Sequence, residues 1–285
     1  MTPAIQYALG AMLCFGIGDL FYKRGAVAGA QPHHFLMLQS WVFAPTIVLY
    51  GYFTGTLTFV VGTLWGGVAG LFMTIGFYNF AHSLKSGSIS INASVFRLSF
   101  VITAALAVLL LGEPLPAYKF AGLVLALVAV WLLVGAPAAG DAAGRHANRS
   151  ALVRVLIATA AVGIGNFIHK YGLRAGATPA SLIVAQAVVV VTLSTAFVLA
   201  VERRIRPSAA AWRYAPRAAI VLVIAFALML ESMVQGEASV MVPIAQMGFV
   251  VTALLGFVFL REPFTARKGA GLVAALGALA SLAHG

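Results

Sequence analysis

The stretch FVITAALAVLLLGEPLPAYKFAGLV, Phe100 to Val124, and the stretch FVVTALLGFVFLREPFTARKGAGLV, Phe249 to Val273, decide how this chain folds. Laid on one another at a shift of 149 positions, 14 of the 25 pairs are identical, among them Thr103/Thr252, Glu113/Glu262, Pro114/Pro263, Lys119/Lys268 and Gly122/Gly271. A second match lies earlier in each copy. At a shift of 147, Gly16 to Gln39 falls on Gly163 to Gln186 with ten identities in 24, including Gly16, Gly18, Lys23, Gly25, Gly29, Pro32 and Gln39. Compositional bias produces chance matches among Ala, Leu and Gly, but it does not put Lys, Glu-Pro and Gln in register. The chain is an internal duplication.

What is duplicated is apolar. Hydrophobic residues make up 62% of the 285 and charged residues 9%, against about 25% charged in a soluble domain that must cover its surface. With a ruler of about 20 apolar residues per spanning helix, spans fall near 3–22, 33–53, 60–82, 88–111 and 116–135. A polar connection, 136–150, precedes a second set near 151–170, 179–201, 216–234, 238–260 and 265–283. The first segment has no basic residues before it, and Lys23-Arg24 follow it, so it reads as a retained span rather than a cleaved signal. The expected fold is all-α and membrane-integral, ten transmembrane helices in two five-helix repeats, 1–135 and 151–285. Five is odd, so the second copy enters the bilayer from the opposite side. This inverted-repeat arrangement is that of many secondary transporters, with the substrate site at the repeat interface near the midplane.

The formal charge of +11 would suggest a nucleic-acid partner in a soluble protein. Here 14 of the 18 basic residues sit in odd-numbered loops and three, Lys119, Lys170 and Arg174, in even-numbered ones; Arg97 lies inside a span. The bias makes the charge a topology signal, with both termini on the non-cytoplasmic side, and no nucleic-acid partner is expected. The lone cysteine, Cys14, implies no disulfide framework. Without an HExxH, GxSxG, P-loop or Cys/His cluster, the chain offers no catalytic residues, no metal site and no cofactor site.

Leu111-Gly112-Glu113-Pro114 and Leu260-Arg261-Glu262-Pro263 each end a long apolar span and are followed by a lysine (Lys119, Lys268) and a glycine (Gly122, Gly271). With Tyr78 through Ala81 to Leu84 and Ser88 to Glu113, this resembles the EamA repeat of the drug/metabolite transporter superfamily, in two copies over essentially the whole chain. The resemblance implies a secondary carrier in the cell (inner) membrane for a small metabolite, often an exporter of amino acids or related compounds, and no enzyme. The first span departs from the pattern. It reads Phe15-Gly16-Ile17-Gly18-Asp19 where many members carry a tryptophan-serine pair.

Polar side chains inside a bilayer are costly and face the bundle interior, so they are the candidate sites. Arg97, about ten residues into the fourth span, is the first, and its repeat mate is Gln246. Glu231, at a compatible depth in the eighth span, is expected to approach it. Arg97 would hold a substrate carboxylate, and Glu231 an amine or the coupling proton; the competing reading is a purely structural ion pair. Asp19, whose mate is Asn166, is a second proton-coupling candidate, or else an i+4 partner of Lys23. Gln39 and Gln186 occupy equivalent places and either line the cavity or bond between helices. Asn79 and Tyr78 complete the expected substrate-binding set, with His82, Asn92, Gln235 and Trp41 behind them. Glu113 and Glu262 read as structural, at the N-terminus of the helix that follows each of them. The stripe Gly62, Gly66, Gly70 reads as a close helix contact. The expected protein is a monomer whose partners are a small-molecule substrate, the lipid bilayer, and a proton or exchanged solute. Import by the same fold is the nearest alternative, and a membrane-embedded lipid-modifying enzyme a more distant one.

Overall fold

The computed structural model describes residues 2–86, 92, 95–134, 144–259 and 265–284. Glu262 therefore lies outside the described residues. Among the described residues there is no strand. The helices are α1 (Pro3–Val27), α2 (Pro32–Phe53), α3 (Leu64–Ser86), α4 (Ser99–Leu111), α5 (Ala117–Val134), α6 (Gly144–Arg174), α7 (Pro179–Glu202), α8 (Ala209–Gln235), α9 (Ala238–Gln246), α10 (Gly248–Phe259) and α11 (Ala266–Ala283), with a 3-10 turn at Val61–Thr63 before α3. Seven of these are long and apolar enough to cross a membrane; the shorter apolar segments Val95–Leu111, Ala117–Leu133 and Ala238–Val251 lie where the fourth, fifth and ninth spans are expected.

Local sequence explains the matching ends. Gly29 and Gly176, equivalent at the 147 shift, take left-handed φ of +81° and +85°. Around them the same two bonds close the helix, Gly29 N–H to Ala26 and Ala30 N–H to Gly25 in one copy, Gly176 to Leu173 and Ala177 to Gly172 in the other. This left-handed glycine cap is followed in each copy by a proline, Pro32 or Pro179, at the first turn of the next helix, where its missing N–H costs nothing. The matched Gly25, Ala28, Gly29, Ala30 and Pro32 are the chemistry of one tight turn used twice.

One boundary differs from expectation. The sixth helix starts at Gly144 rather than near 151. A hydropathy ruler measures the hydrocarbon-sized part of a helix, Ser150–Arg174, and polar residues before it can carry the same backbone ladder beyond that part.

The two copies are interleaved. α1 packs along α8, and α6, the repeat mate of α1, packs along α3, the mate of α8; α2 lies on α7 and α5 on α11. Glycine makes the closest approaches possible. A Cβ on Gly163 of α6 would sit 2.7 Å from the Ser99 carbonyl oxygen of α4, and one on Gly16 of α1 would sit 2.6 Å from that of Gly248 of α10. Thr103 reinforces the first contact by donating its hydroxyl to the Gly163 carbonyl at 2.9 Å. The Gly66–Gly70 stripe lies against Leu182 and Gln186 of α7 in the same way, which agrees with the packing reading.

Candidate functional site

Two helices break at equivalent places. Residues 95–97 are helical, Leu98 is a turn, and α4 begins at Ser99; α9 ends at Gln246, Met247 is a turn, and α10 begins at Gly248. Leu98 and Met247 are repeat mates. Both have helical φ with ψ near zero, −5° and 11°. Tight i-to-i−3 bonds, Leu98 N–H to Val95, Val101 to Leu98, Met247 to Ile244 and Val250 to Met247, join the pieces in both copies. Such a 3-10 interruption inside a helix marks a hinge, and in carriers built from repeats it marks the substrate site.

Arg97 and Gln246 are the last residues before each break, and they meet. Arg97 Nη1 donates to Gln246 Oε1 at 3.3 Å. Its Nη2 forms an ion pair with Asp19 of α1. The Arg97 side chain is 7% exposed and that of Asp19 32%, so the guanidinium is the deeper charge. Asn166 of α6, the repeat mate of Asp19, faces the same space. It is 1% exposed, and both its amide nitrogen and its oxygen are buried with no hydrogen-bond partner among the described residues. Leaving such atoms unmet costs about 1–3 kcal/mol each.

Aromatic rings close the space around these groups. Phe96 stacks on Phe80 of α3 with ring centroids 4.0 Å apart, and Phe15 of α1 meets Phe226 of α8 edge-on at 5.4 Å. Together with Tyr22, Phe77, Val162 and Leu222 they leave a cavity of about 40 Å³, room for about three waters. One wall comes from each copy. Outward from it, Tyr22 donates its hydroxyl to Gln39 of α2. Their mates, His169 of α6 and Gln186 of α7, are both buried in the second copy. Gln39 thus braces α1 against α2 one layer back from the cavity.

The expected approach of Arg97 to Glu231 is replaced by the pair with Asp19. Leu222 and Phe226 of α8 line the cavity, and Glu231 lies five residues beyond Phe226, about 7.5 Å farther along the axis and turned about 140° away. There it is half-buried, close enough to Tyr50 of α2 for the two groups to interact electrostatically.

Asn79 and Tyr78 also lie elsewhere. They line a lateral apolar recess of about 270 Å³ with His33, Thr74 and Phe197. Tyr78 packs edge-on against Phe197 at 4.9 Å, while Asn79 bonds to the Ile75 carbonyl and to Arg154. Trp41 donates to Thr195 at 2.8 Å, and Asn92 to the Ser83 carbonyl at 2.8 Å.

Glu113 is structural, but it caps a helix of the other copy rather than the one that follows it. Its two carboxylate oxygens accept the Ala238 and Ser239 N–H groups, 2.9 and 2.8 Å away, at the start of α9. Beside it Lys119 pairs with Glu237, and Lys170 donates to the Met233 and Gly236 carbonyls at 2.5 and 2.7 Å, where α8 ends. Arg174 donates to the Leu111 carbonyl at 2.9 Å. All three basic residues of the even-numbered loops, with Gln235, thus surround one recess of about 400 Å³. The loop charge count isolates these three residues; it carries no signal that they converge.

Comparison with known proteins bears on the fold and the family. One solved crystal structure of a protein superposes with a TM-score of 0.83, covering 99% of this chain and 98% of that one at 17% identity, a likeness of fold. No curated protein matches the sequence. The model of the EamA-like transporter family matches twice, over residues 2–135 and 149–283, nearly the whole chain. With two copies of that repeat and apolar helices suited to a bilayer, the chain is a multi-pass membrane transporter and belongs to the EamA-like transporter family.

Proposed function

We propose that this transporter is a ten-span carrier, two inverted five-helix repeats (1–135 and 151–285) joined by 136–150, which exports a small zwitterionic metabolite of amino-acid type by alternating access. Both termini lie on the non-cytoplasmic face of the inner membrane, and the protein works as a monomer. The observation that carries this reading is the group Asp19, Arg97, Asn166 and Gln246, drawn from both copies around two equivalent helix breaks that Arg97 and Gln246 precede.

The chemistry follows from the groups present. A guanidinium takes a carboxylate in two parallel bonds, so a substrate carboxylate competes with Asp19 for Arg97. Asp19, once released, takes the substrate ammonium or a proton, which links substrate entry to the coupling step. The Asn166 amide offers a donor and an acceptor to the same ligand. Opening Phe80–Phe96 on one side or Phe15–Phe226 on another enlarges the 40 Å³ space toward the roughly 300 Å³ or more of a ligand pocket. The breaks at Leu98 and Met247 are the joints for that motion.

The test has two stages. Proteinogenic amino acids and related zwitterions are screened for raising the melting temperature of the purified protein, since a ligand of the folded state raises its apparent stability. Hits are then assayed for counterflow in protein-only liposomes. Stabilisation and counterflow by one compound, both lost in Asn166→Leu, support the assignment. Counterflow that persists unchanged in Asn166→Leu removes the site. Uptake into oriented right-side-out vesicles driven by an inward proton gradient makes the protein an importer.

A further inference from the structure

At the other end of α2 and α7 from the even-loop recess lies a cluster that the transport reading does not use. Pro32, His33 and His34 form the first turn of α2, and Glu202 is the last residue of α7. His33 Nε2 lies 2.6 Å from one oxygen of Glu202 and His34 Nε2 3.0 Å from the other. The rings are fixed. Their centroids are 4.5 Å apart, and His33 also meets Phe197 of α7 at 6.2 Å. His34 is buried, with its side chain 5% exposed, whereas Glu202 keeps 29% of its side-chain surface open.

We propose that His33, His34 and Glu202 form a binding site for one divalent transition-metal ion of the zinc class, bridging α2 and α7. The three candidate ligand atoms all lie within 4.8 Å of one another. A tetrahedral zinc ion with bonds of about 2.0–2.2 Å sets its ligands about 3.3 Å apart. The two observed imidazole–carboxylate distances, 2.6 and 3.0 Å, lie within about 0.7 Å of that spacing. Two imidazoles and one carboxylate are a donor set suited to zinc, copper, nickel or cobalt rather than calcium or magnesium. The exposed side of Glu202 leaves the fourth position open to water.

The repeat sharpens the argument. At the 147 shift His33 and His34 correspond to Ala180 and Ser181. Across the molecule the same junction, the start of α7 on the segment after α2, is made by neutral groups: Thr58 N–H donates to Ser181 Oγ at 2.8 Å, and Thr178 Oγ1 donates to the Thr56 carbonyl at 2.7 Å. The two ends of the α2–α7 contact are therefore chemically unlike, and one alone carries metal-ligating side chains among the described residues. An ion there ties the first copy to the second at the odd-loop face and leaves the opposite face untouched. This holds whatever the transported solute is.

The test uses tag-free full-length protein in detergent micelles titrated with Zn2+. One ion per chain is expected, with affinity falling at least tenfold in His33→Ala, His34→Ala and Glu202→Gln, and unchanged in Ser181→Ala. Zinc is expected to raise the melting temperature of the wild type and not of the three variants. X-ray absorption on the wild-type zinc form should count two imidazole nitrogens. This keeps the test decisive if a variant fails to fold. Stoichiometric binding that survives all three substitutions, fewer than two imidazoles at the ion, or no binding up to millimolar Zn2+ overturns the proposal.

Discussion

Neutralising Asp19 is expected to harm the protein more than neutralising Arg97, although the two form one ion pair. In Asp19→Asn the Arg97 guanidinium, with 7% of its side chain exposed, keeps only neutral acceptors among the described residues, the new amide oxygen at position 19 and Gln246 at 3.3 Å. Removing one partner of a buried pair costs about 3–5 kcal/mol, because an unpaired charge is left behind. In Arg97→Met the charge left behind is Asp19, which is 32% exposed. That residue stands between the buried case and the exposed pairs worth about 0–1 kcal/mol, so a cost of about 1–2 kcal/mol is expected. The double variant removes both charges and is expected to unfold no more easily than Arg97→Met alone, a coupling of about 3–5 kcal/mol. Equilibrium unfolding in mixed micelles, followed by tryptophan fluorescence, measures all four corners of this cycle. If the single effects add within about 0.5 kcal/mol, the usual limit for independent sites, or if Arg97→Met is the more damaging, the reasoning about the pair is wrong.

Other perturbations follow from the same geometry. Asn166→Leu removes two unmet polar atoms, so the melting temperature is expected to hold or rise while counterflow is lost; a drop of several degrees with transport intact would contradict the ligand role. Gly163→Ala places a methyl 2.7 Å from a backbone oxygen and is expected to cost about 1–3 kcal/mol. Gly67→Ala, whose new methyl meets nothing nearer than 3.7 Å, should be neutral or stabilising by up to about 1 kcal/mol; equal effects in thermal melts would refute the close-approach account. Glu113→Gln keeps an acceptor but loses the charge facing two N–H groups at the start of α9, with an expected loss of about 1–2 kcal/mol, read in the same melts.

Much of this architecture could be read directly from the residues. The two shifts that align the copies also pair Arg97 with Gln246, Asp19 with Asn166 and Leu98 with Met247, and these are the groups around the central cavity. What could not be read was which face of a helix each polar group presents. Depth along a span put Glu231 level with Arg97, but its rotation relative to Phe226 turns it away from the cavity that Leu222 and Phe226 line. Asp19, four residues before Lys23 in the chain, pairs with Arg97 on another helix, which sequence distance does not show. Glu113 followed by proline signals an acid near a helix start, yet not that the start belongs to α9, 125 residues away. His33 and His34 stand side by side in the chain, but Glu202, 169 residues on, turns them into a cluster only once α2 lies on α7. Long-range pairings are set by packing between copies, and a single strand of text carries no distance across that interface.

The ion pair has a consequence for how the chain is made. Asp19 and Arg97 both belong to the first copy, whereas Gln246 follows Arg97 by 149 residues. At roughly 5–20 residues per second, the ribosome delivers that partner about 7–30 s after Arg97. For the early part of that delay, until α6 and then α8 are made, α1 and α3 lack these helices to lie against, and lipid must stand in for them. A lone guanidinium left in hydrocarbon during the wait would pull its segment toward the headgroups. Because its counter-charge is synthesised first and waits on α1, the newborn first half can hold Arg97 at depth as a neutral pair until the second half arrives to enclose it.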